Sequence, residues 1–172
     1  MVVTESLVKK QTELRETAKS LRGLAARILA TGFGIGYLPL APGTWASAAT
    51  VLGLTALYRL PGARFVHLAL VAAFFALAWA TSGRAARDMG EKDPRAVVID
   101  EILGQSLCLL LVPASIPGFA LGLLYFRLFD ILKPVPIRWC ENLQGGLGIL
   151  LDDVLAGLYA AGAFWITYHL FF

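Results

Sequence analysis

The chain has 172 residues, of which 58% are hydrophobic and 16% charged, and its mean hydropathy is +0.69. Soluble domains are roughly 45–50% apolar and about 25% charged, and a domain of this size has too much surface to hide the excess. These values argue against a soluble enzyme and indicate a small integral membrane protein. The net charge is +3, but the basic residues do not form a separate cluster, so no nucleic-acid partner is expected. Two cysteines and two histidines make neither a disulfide framework nor a zinc centre.

Residues 1–30 are predicted to form a basic amphipathic helix that precedes a membrane domain over residues 31–172. Apolar residues recur in this segment with helical spacing at Leu7, Leu14, Ala18, Leu21, Ala25 and Ile28. A basic helix of this kind either lies along the lipid surface or packs against the rest of the protein. The sequence leaves both arrangements open.

Four apolar stretches follow and predict an all-α, polytopic helical membrane protein with an interfacial N-terminal helix. They are Trp45–Leu60, Phe65–Thr81, Ile102–Tyr125 and Val154–Phe172, and all but the third have about the length of a single span. The third contains Pro-Ala-Ser-Ile-Pro-Gly, so it is either one span or a hairpin of two short helices. Small residues on these stretches predict close helix packing, at Gly104, Ala156, Gly157, Ala160 and Ala161.

The placement of charge favours the hairpin. With a cytoplasmic N-terminus and a hairpin at 102–125, 13 of the 15 Lys and Arg residues and all 12 acidic residues lie on one side. Only Arg59 and Arg64 lie on the other side, which satisfies the positive-inside rule. The sequence therefore predicts a multi-pass protein whose polar motifs face the cytoplasm.

Five carboxylates adjoin the predicted spans at this face: Asp100, Glu101, Asp130, Asp152 and Asp153. The helix dipole explains one acid in a first turn, but adjacent acids repel each other unless a positive group lies among them. Ionisable residues at membrane entry points are functional candidates. A donor set made only of carboxylate oxygens suits a hard divalent cation, with Mg²⁺ as the first choice.

Basic residues and glycines accompany these acids. Arg127, Asp130 and Lys133 are spaced to form one stripe on a helix that Pro134 must end or kink. The stripe is either a solvated ion-pair ladder or a set of phosphate-binding bases, and Arg138 is a further candidate. The glycine-rich segment 31–47 either offers backbone N–H groups to an anion, at the helix start Gly43-Thr44, or is a structural turn.

Four stretches together resemble the phosphatidylglycerophosphatase A family. They are GFGIGYLPLAPGTWAS (32–47), VVIDEILG (97–104), FRLFDILKPVPIRW (126–139) and GGLGILLDDVLAG (145–157). The resemblance implies a Mg²⁺-dependent phosphatase of the bacterial inner membrane, with membrane lipids around it. Its expected reaction removes the terminal phosphate of phosphatidylglycerophosphate and yields phosphatidylglycerol. Leu40 and Ala46 depart from the family pattern, in which a basic residue and a glycine are common at these positions.

We expect residue roles that agree with this resemblance. Asp100, Asp130 and Asp153 are expected to hold Mg²⁺, with Glu101 or Asp152 as a further ligand or general base. Lys133, Arg127 and Arg138 are expected to bind phosphate, and Gly43 and Thr44 to offer backbone or hydroxyl donors. The sequence contains no Cys-x5-Arg, Asp-x-Asp or motif histidine as a nucleophile. We therefore expect attack by a water molecule that the metal activates, and a carboxylate nucleophile stays open.

Three alternatives accompany this hypothesis. The first is a phosphatase for another lipid phosphate, such as phosphatidic acid or a polyprenyl phosphate, since the same residues would serve. The second is a small cation carrier, which the clustering of the acids at one face disfavours. The third is a structural scaffold, which leaves the adjacent acids unexplained.

Overall fold

The computed structural model describes residues 15, 17, 19–90, 94–140 and 146–171. Within these residues every regular element is helical, as the sequence predicts. Helix α1 covers residues 19–30. It is followed by a 3₁₀ turn (Ile35–Tyr37) and by helices α2 (Pro42–Leu57), α3 (Ala63–Met89), α4 (Ile99–Leu111), α5 (Ile116–Leu132), α6 (Ile137–Cys140) and α7 (Gly146–Phe171).

Two of these helices are long and apolar enough to cross a bilayer. The apolar parts are Ala63–Ala85 in α3, with 23 residues, and Leu150–Phe171 in α7, with 22; a span needs about 20. The sequence predicts a further span over Trp45–Leu60, but α2 has only 16 residues, or about 24 Å at 1.5 Å per residue. Large apolar side chains such as Leu52 and Phe65 are exposed on the outside of the protein.

The segment 102–125 is a hairpin of two helices, as the placement of charge predicts. Helix α4 ends at Leu111 and α5 begins at Ile116. The Ser115 hydroxyl caps α5 by accepting a hydrogen bond from the Gly118 N–H at 3.1 Å, and proline in the first turn suits a helix start. The hairpin returns the chain to the side from which it entered, so the start of α4 and the end of α5 lie together.

Helix α7 packs closely against α4 through glycine. A β-carbon on Gly104 would collide with the backbone carbonyl of Asp153, and one on Gly157 would collide with the carbonyl of Gly104. Ala156 and Ala160 are fully buried on the same helix, which confirms the close packing predicted from the small residues. This contact brings the acids at the start of α7 beside those at the start of α4.

Helix α1 has one face on the protein and the opposite face exposed. Ala26 and Ala30 are buried, and the Ala30 carbonyl accepts a hydrogen bond from the Val98 N–H at 2.8 Å. Leu21 and Ile28, members of the predicted apolar stripe, are 61% and 42% exposed. In the described part of the helix, this stripe does not pack against the protein. The more N-terminal members, at positions 7, 14 and 18, lie outside the described residues.

Candidate active site

A polar cavity of about 230 Å³ opens where α2, α4 and α7 begin and α5 ends. All five predicted carboxylates line it: Asp100, Glu101, Asp130, Asp152 and Asp153. Arg127, Lys133 and Gly43 line it as well. The hairpin and the glycine contact between α4 and α7 thus bring together most of the residues that the sequence singles out.

Three of the carboxylates converge on one point. Asp100, Glu101 and Asp153 each offer an oxygen, and these oxygens all lie within 4.8 Å of one another. Asp100 and Asp153 are each only 4% exposed. Glu101 Oε2 is buried and has no hydrogen-bond partner among the described residues. We call these three residues the carboxylate triad; its spacing and hard oxygen donors fit a small divalent cation.

Burial also sets the acidity of the triad. Loss of solvent raises the pKa of the Glu101 carboxyl above its ordinary range, to about 7. The charged form is disfavoured because little polar surrounding replaces the lost water. A cation among the three carboxylates would remove much of this cost.

The other two carboxylates are each paired with a base. Arg127 Nη1 lies 2.6 Å from Asp130 Oδ2, and Lys133 Nζ lies 2.7 Å from Asp152 Oδ2. Asp130 is therefore an ion-pair partner beside the triad, whereas Glu101 is a member of it. Within the predicted ligand set, this geometry favours Glu101 over Asp130 as the third cation ligand.

Lys133 departs from the predicted helical stripe. Helix α5 ends at Leu132, and Lys133 caps it in a left-handed conformation with φ 44°. Its amine reaches Asp152 on α7 instead of Asp130 on its own helix. The helix ends directly before Pro134, as the sequence predicts. Arg127 and Lys133 therefore line the same cavity, and each is paired with a different carboxylate.

Gly43 closes the side of the cavity formed by α2. A β-carbon at this position would collide with Glu101 Oε1 and would lie 3.0 Å from Arg127 Nη1. The requirement for glycine here is therefore one of space. In the segment 32–36, by contrast, Gly32 and Gly34 have positive φ values of 55° and 95°. These two residues form a structural turn and do not line the cavity.

Two predicted site residues do not line the cavity. Thr44 and Arg138 are both exposed and lie outside its walls. The Thr44 N–H is donated to the Ala41 carbonyl at 3.0 Å, so it is not available to an anion. Their roles in phosphate binding stay predictions that this geometry does not support.

One charged residue of the cavity wall is absent from the predicted set. Arg95 lines the cavity from the connection between α3 and α4, and it is exposed. In the sequence it belongs to the charged segment 83–101, which is indistinguishable from a solvated loop. The only feature of the sequence that relates Arg95 to the site is its position five residues before Asp100.

The fold and the cavity together define a class: a helical protein with membrane-length helices and a site of carboxylates and bases suited to a phosphorylated ligand. Comparison with known proteins makes this specific. The family profile of Phosphatidylglycerophosphatase A matches residues 28–168. The chain belongs to this family and is an enzyme of the phosphatase type. The carrier and scaffold alternatives are thereby set aside.

Curated bacterial proteins match over most of their length. Phosphatidylglycerophosphatase A of Haemophilus influenzae is 42% identical over 140 residues, which are 77% of this chain and 82% of the relative. The protein of the same name from Escherichia coli is 33% identical over 144 residues, 83% of each chain. A Bacteroides thetaiotaomicron protein, provisionally named a phosphatidylinositol-3-phosphatase, is 41% identical over 144 residues, 77% of this chain and 87% of the relative. No solved structure matches the chain significantly.

Proposed function

We propose that the protein is a Mg²⁺-dependent phosphatase that removes the terminal phosphate of phosphatidylglycerophosphate and yields phosphatidylglycerol. The observation that carries the proposal is the carboxylate triad facing two bases in one cavity, in a chain of this family. The names of two curated relatives support the choice of substrate.

The triad is the proposed cation site. Asp100, Glu101 and Asp153 supply oxygen ligands at mutual distances that one ion can bridge. The unpartnered Glu101 Oε2 supports this assignment, because a buried carboxylate oxygen without a donor is costly. When bound, Mg²⁺ would supply Lewis-acid stabilisation of the charge that develops on the phosphoryl oxygens.

The two bases are the proposed phosphate grip. Arg127 Nε is buried and has no hydrogen-bond partner among the described residues, so the guanidinium retains a donor while Nη1 contacts Asp130. Lys133 also lines the cavity, where its amine is paired with Asp152. The two paired carboxylates hold the bases in place, and both bases neutralise phosphate charge as the P–O bond breaks.

Proton transfer is assigned to the acids of the same cavity. Glu101 is the first candidate to accept the proton of the attacking water, as an alternative to its role as a cation ligand. Asp152 is the second candidate, since it also lines the cavity. The lining of the cavity favours water as the nucleophile, because neither free cysteine belongs to it.

The proposed setting is the bacterial inner membrane, with the cavity on the cytoplasmic side. Helices α3 and α7 would span, the α4–α5 hairpin would enter and return, and α1 would lie at the interface. The exposed stripe that includes Leu21 and Ile28 supports the place of α1. The position of the basic residues on the cavity side supports the orientation.

The proposal is tested with purified protein in neutral detergent micelles. Phosphate release from phosphatidylglycerophosphate is measured with Mg²⁺, with EDTA, and after Mg²⁺ is restored. We expect release that EDTA abolishes and Mg²⁺ recovers. If EDTA leaves phosphate release unchanged, the cation assignment is wrong. If no phosphate is released under any condition, the substrate assignment is wrong.

A second candidate substrate is phosphatidylinositol 3-phosphate, which the provisional name of the Bacteroides relative supports. The same assay with this lipid decides between the two. A kcat/KM for the phosphoinositide above that for phosphatidylglycerophosphate would favour the second candidate.

A further inference from the structure

A second cavity adjoins the candidate active site. Its volume is about 590 Å³, and Arg27, Tyr37, Asp88 and Met89 are among the residues that line it. Pro94 and Arg95 form walls of both cavities. Arg95 is therefore within reach of a ligand in either cavity.

The positive charge of this second cavity exceeds its negative charge. Arg95 and Arg27 line it together with one carboxylate, Asp88. Both arginines are exposed, and neither forms an ion pair with another residue in the described part of the chain. Guanidinium groups present a planar set of donors that matches phosphate oxygens. An anion is the ligand that this arrangement fits.

The size of the smaller cavity explains why a second subsite is needed. A volume of about 230 Å³ accommodates a phosphoryl group beside a cation, but not the whole headgroup of a phospholipid. Both candidate substrates carry a phosphodiester in addition to the phosphomonoester that is hydrolysed. When the monoester lies against Arg127 and Lys133, the rest of the headgroup extends out of the cavity. Arg95 lies at the edge that the two cavities share.

We propose that Arg95, supported by Arg27, forms a second phosphate subsite that binds the phosphodiester of the substrate. This inference rests on the proposed function and explains how the enzyme would select lipids that carry both a phosphomonoester and a phosphodiester. The enzyme grips its lipid at two anionic groups, the monoester at Arg127 and Lys133 and the diester at Arg95. Lipids with a phosphomonoester alone make only the first contact.

The test compares Arg95→Ala with the unaltered enzyme at a low mole fraction of phosphatidylglycerophosphate in neutral detergent micelles. We expect KM to rise about tenfold, as for loss of one charged hydrogen bond, with kcat within twofold. Arg27→Ala should raise KM less, and Arg95→Lys should recover part of the loss. Arg59→Ala is the matched control, since Arg59 is exposed beyond the far end of α2, and it should change neither constant.

Two inhibitors separate the subsites. Phosphatidylglycerol carries only the diester, so its inhibition constant should rise with KM in Arg95→Ala. Inorganic phosphate mimics only the monoester, so its inhibition constant should stay unchanged. If phosphate inhibition weakens equally, Arg95 belongs to the first subsite and the inference is wrong. An effect seen only in vesicles of anionic lipid would assign Arg95 to general surface attraction, which also overturns it.

The outcome is distinguishable from failure of the proposed function. Absence of phosphate release by the unaltered enzyme would overturn the function. In that case the subsite is tested by the thermal shift that phosphatidylglycerol micelles produce, which Arg95→Ala should reduce and Arg59→Ala should not. Normal release with an unchanged KM and an unchanged phosphatidylglycerol inhibition constant in Arg95→Ala would overturn the subsite alone.

Discussion

Gly43 on α2 and Glu101 on α4 approach each other so closely that a β-carbon at position 43 would displace the Glu101 carboxylate. The backbone of α2 thereby lies against the carboxylate that belongs to the proposed cation site. A change at Gly43 acts directly on the position of that carboxylate and of Arg127 beside it.

Gly43→Ala should therefore reduce activity without unfolding the protein. The added methyl group would push Glu101 out of the triad, and we expect kcat/KM to fall about 100-fold, as expected for misplaced catalytic groups. Gly53→Ala, also on α2, is the control because no atom lies within 4 Å of its β-carbon. That variant should keep full activity and gain about 0.5–1 kcal/mol in stability. Equal activity of the two variants would contradict the account.

Two aspartates that line the same cavity should differ in their effect on Mg²⁺. Asp153→Asn removes a member of the triad, so we expect a loss of about 100-fold or more in kcat at any Mg²⁺ concentration. Asp130→Asn removes the partner of Arg127 and should raise KM while the Mg²⁺ requirement is unchanged. The measurement is a Mg²⁺ titration of phosphate release at saturating lipid. An increased Mg²⁺ requirement in Asp130→Asn would restore Asp130 to the ligand set.

The effect of Mg²⁺ on stability should depend on pH through Glu101. The pKa of this carboxyl is about 7 in the metal-free protein, above its ordinary value, because of burial. Its contribution to folding is therefore present at low pH and lost as the pH rises through 7. Mg²⁺ favours the charged form, so its apparent affinity should fall up to about tenfold per pH unit below 7.

Thermal melts at pH 6, 7 and 8, with and without Mg²⁺, measure this dependence. The increase in Tm caused by Mg²⁺ should be larger at pH 8 than at pH 6. Glu101→Gln should reduce the difference between these two pH values. A Mg²⁺ effect of the same size at all three values would show that Glu101 does not exchange a proton for the ion.

The contact between Gly157 and Gly104 should be a sensitive point of helix packing. A methyl group on Gly157 meets the backbone of α4, and we expect Gly157→Ala to destabilise the protein by about 1–3 kcal/mol. Gly162→Ala, on the same helix, adds a methyl group where no atom lies within 4 Å and should be neutral or stabilising. Denaturation in detergent compares the two variants. A more stable Gly157→Ala would contradict the packing described for α4 and α7.

Much of the fold follows from patterns that are local in sequence. Pro113, Pro117 and the placement of charge predict the hairpin, and small residues predict the contact between α4 and α7. The bounds of α2 are less well predicted, because the apolar stretch Trp45–Leu60 and the helix Pro42–Leu57 have equal lengths but are offset by three residues. The same holds for the site. Residue type predicts the five carboxylates, but it does not predict which of them form ion pairs with Arg127 and Lys133.

Lys133 and Arg95 illustrate what a sequence pattern omits. Helical spacing places Lys133 beside Asp130, yet its left-handed backbone directs the amine to another helix. Arg95 belongs to a connection whose course depends on the packing of the helices that it joins. Both positions are decided by contacts between distant segments, which periodicity does not encode.

The triad draws Asp100 and Glu101 from α4 and Asp153 from α7. During synthesis, a nascent chain that has passed through α5 contains Arg127 but an incomplete set of the proposed cation ligands. The ligand set closes only when α7 has emerged and its glycine has met that of α4. If the triad holds the cation as proposed, this contact also completes the active site, and we expect chains in which α7 has not packed against α4 to be inactive.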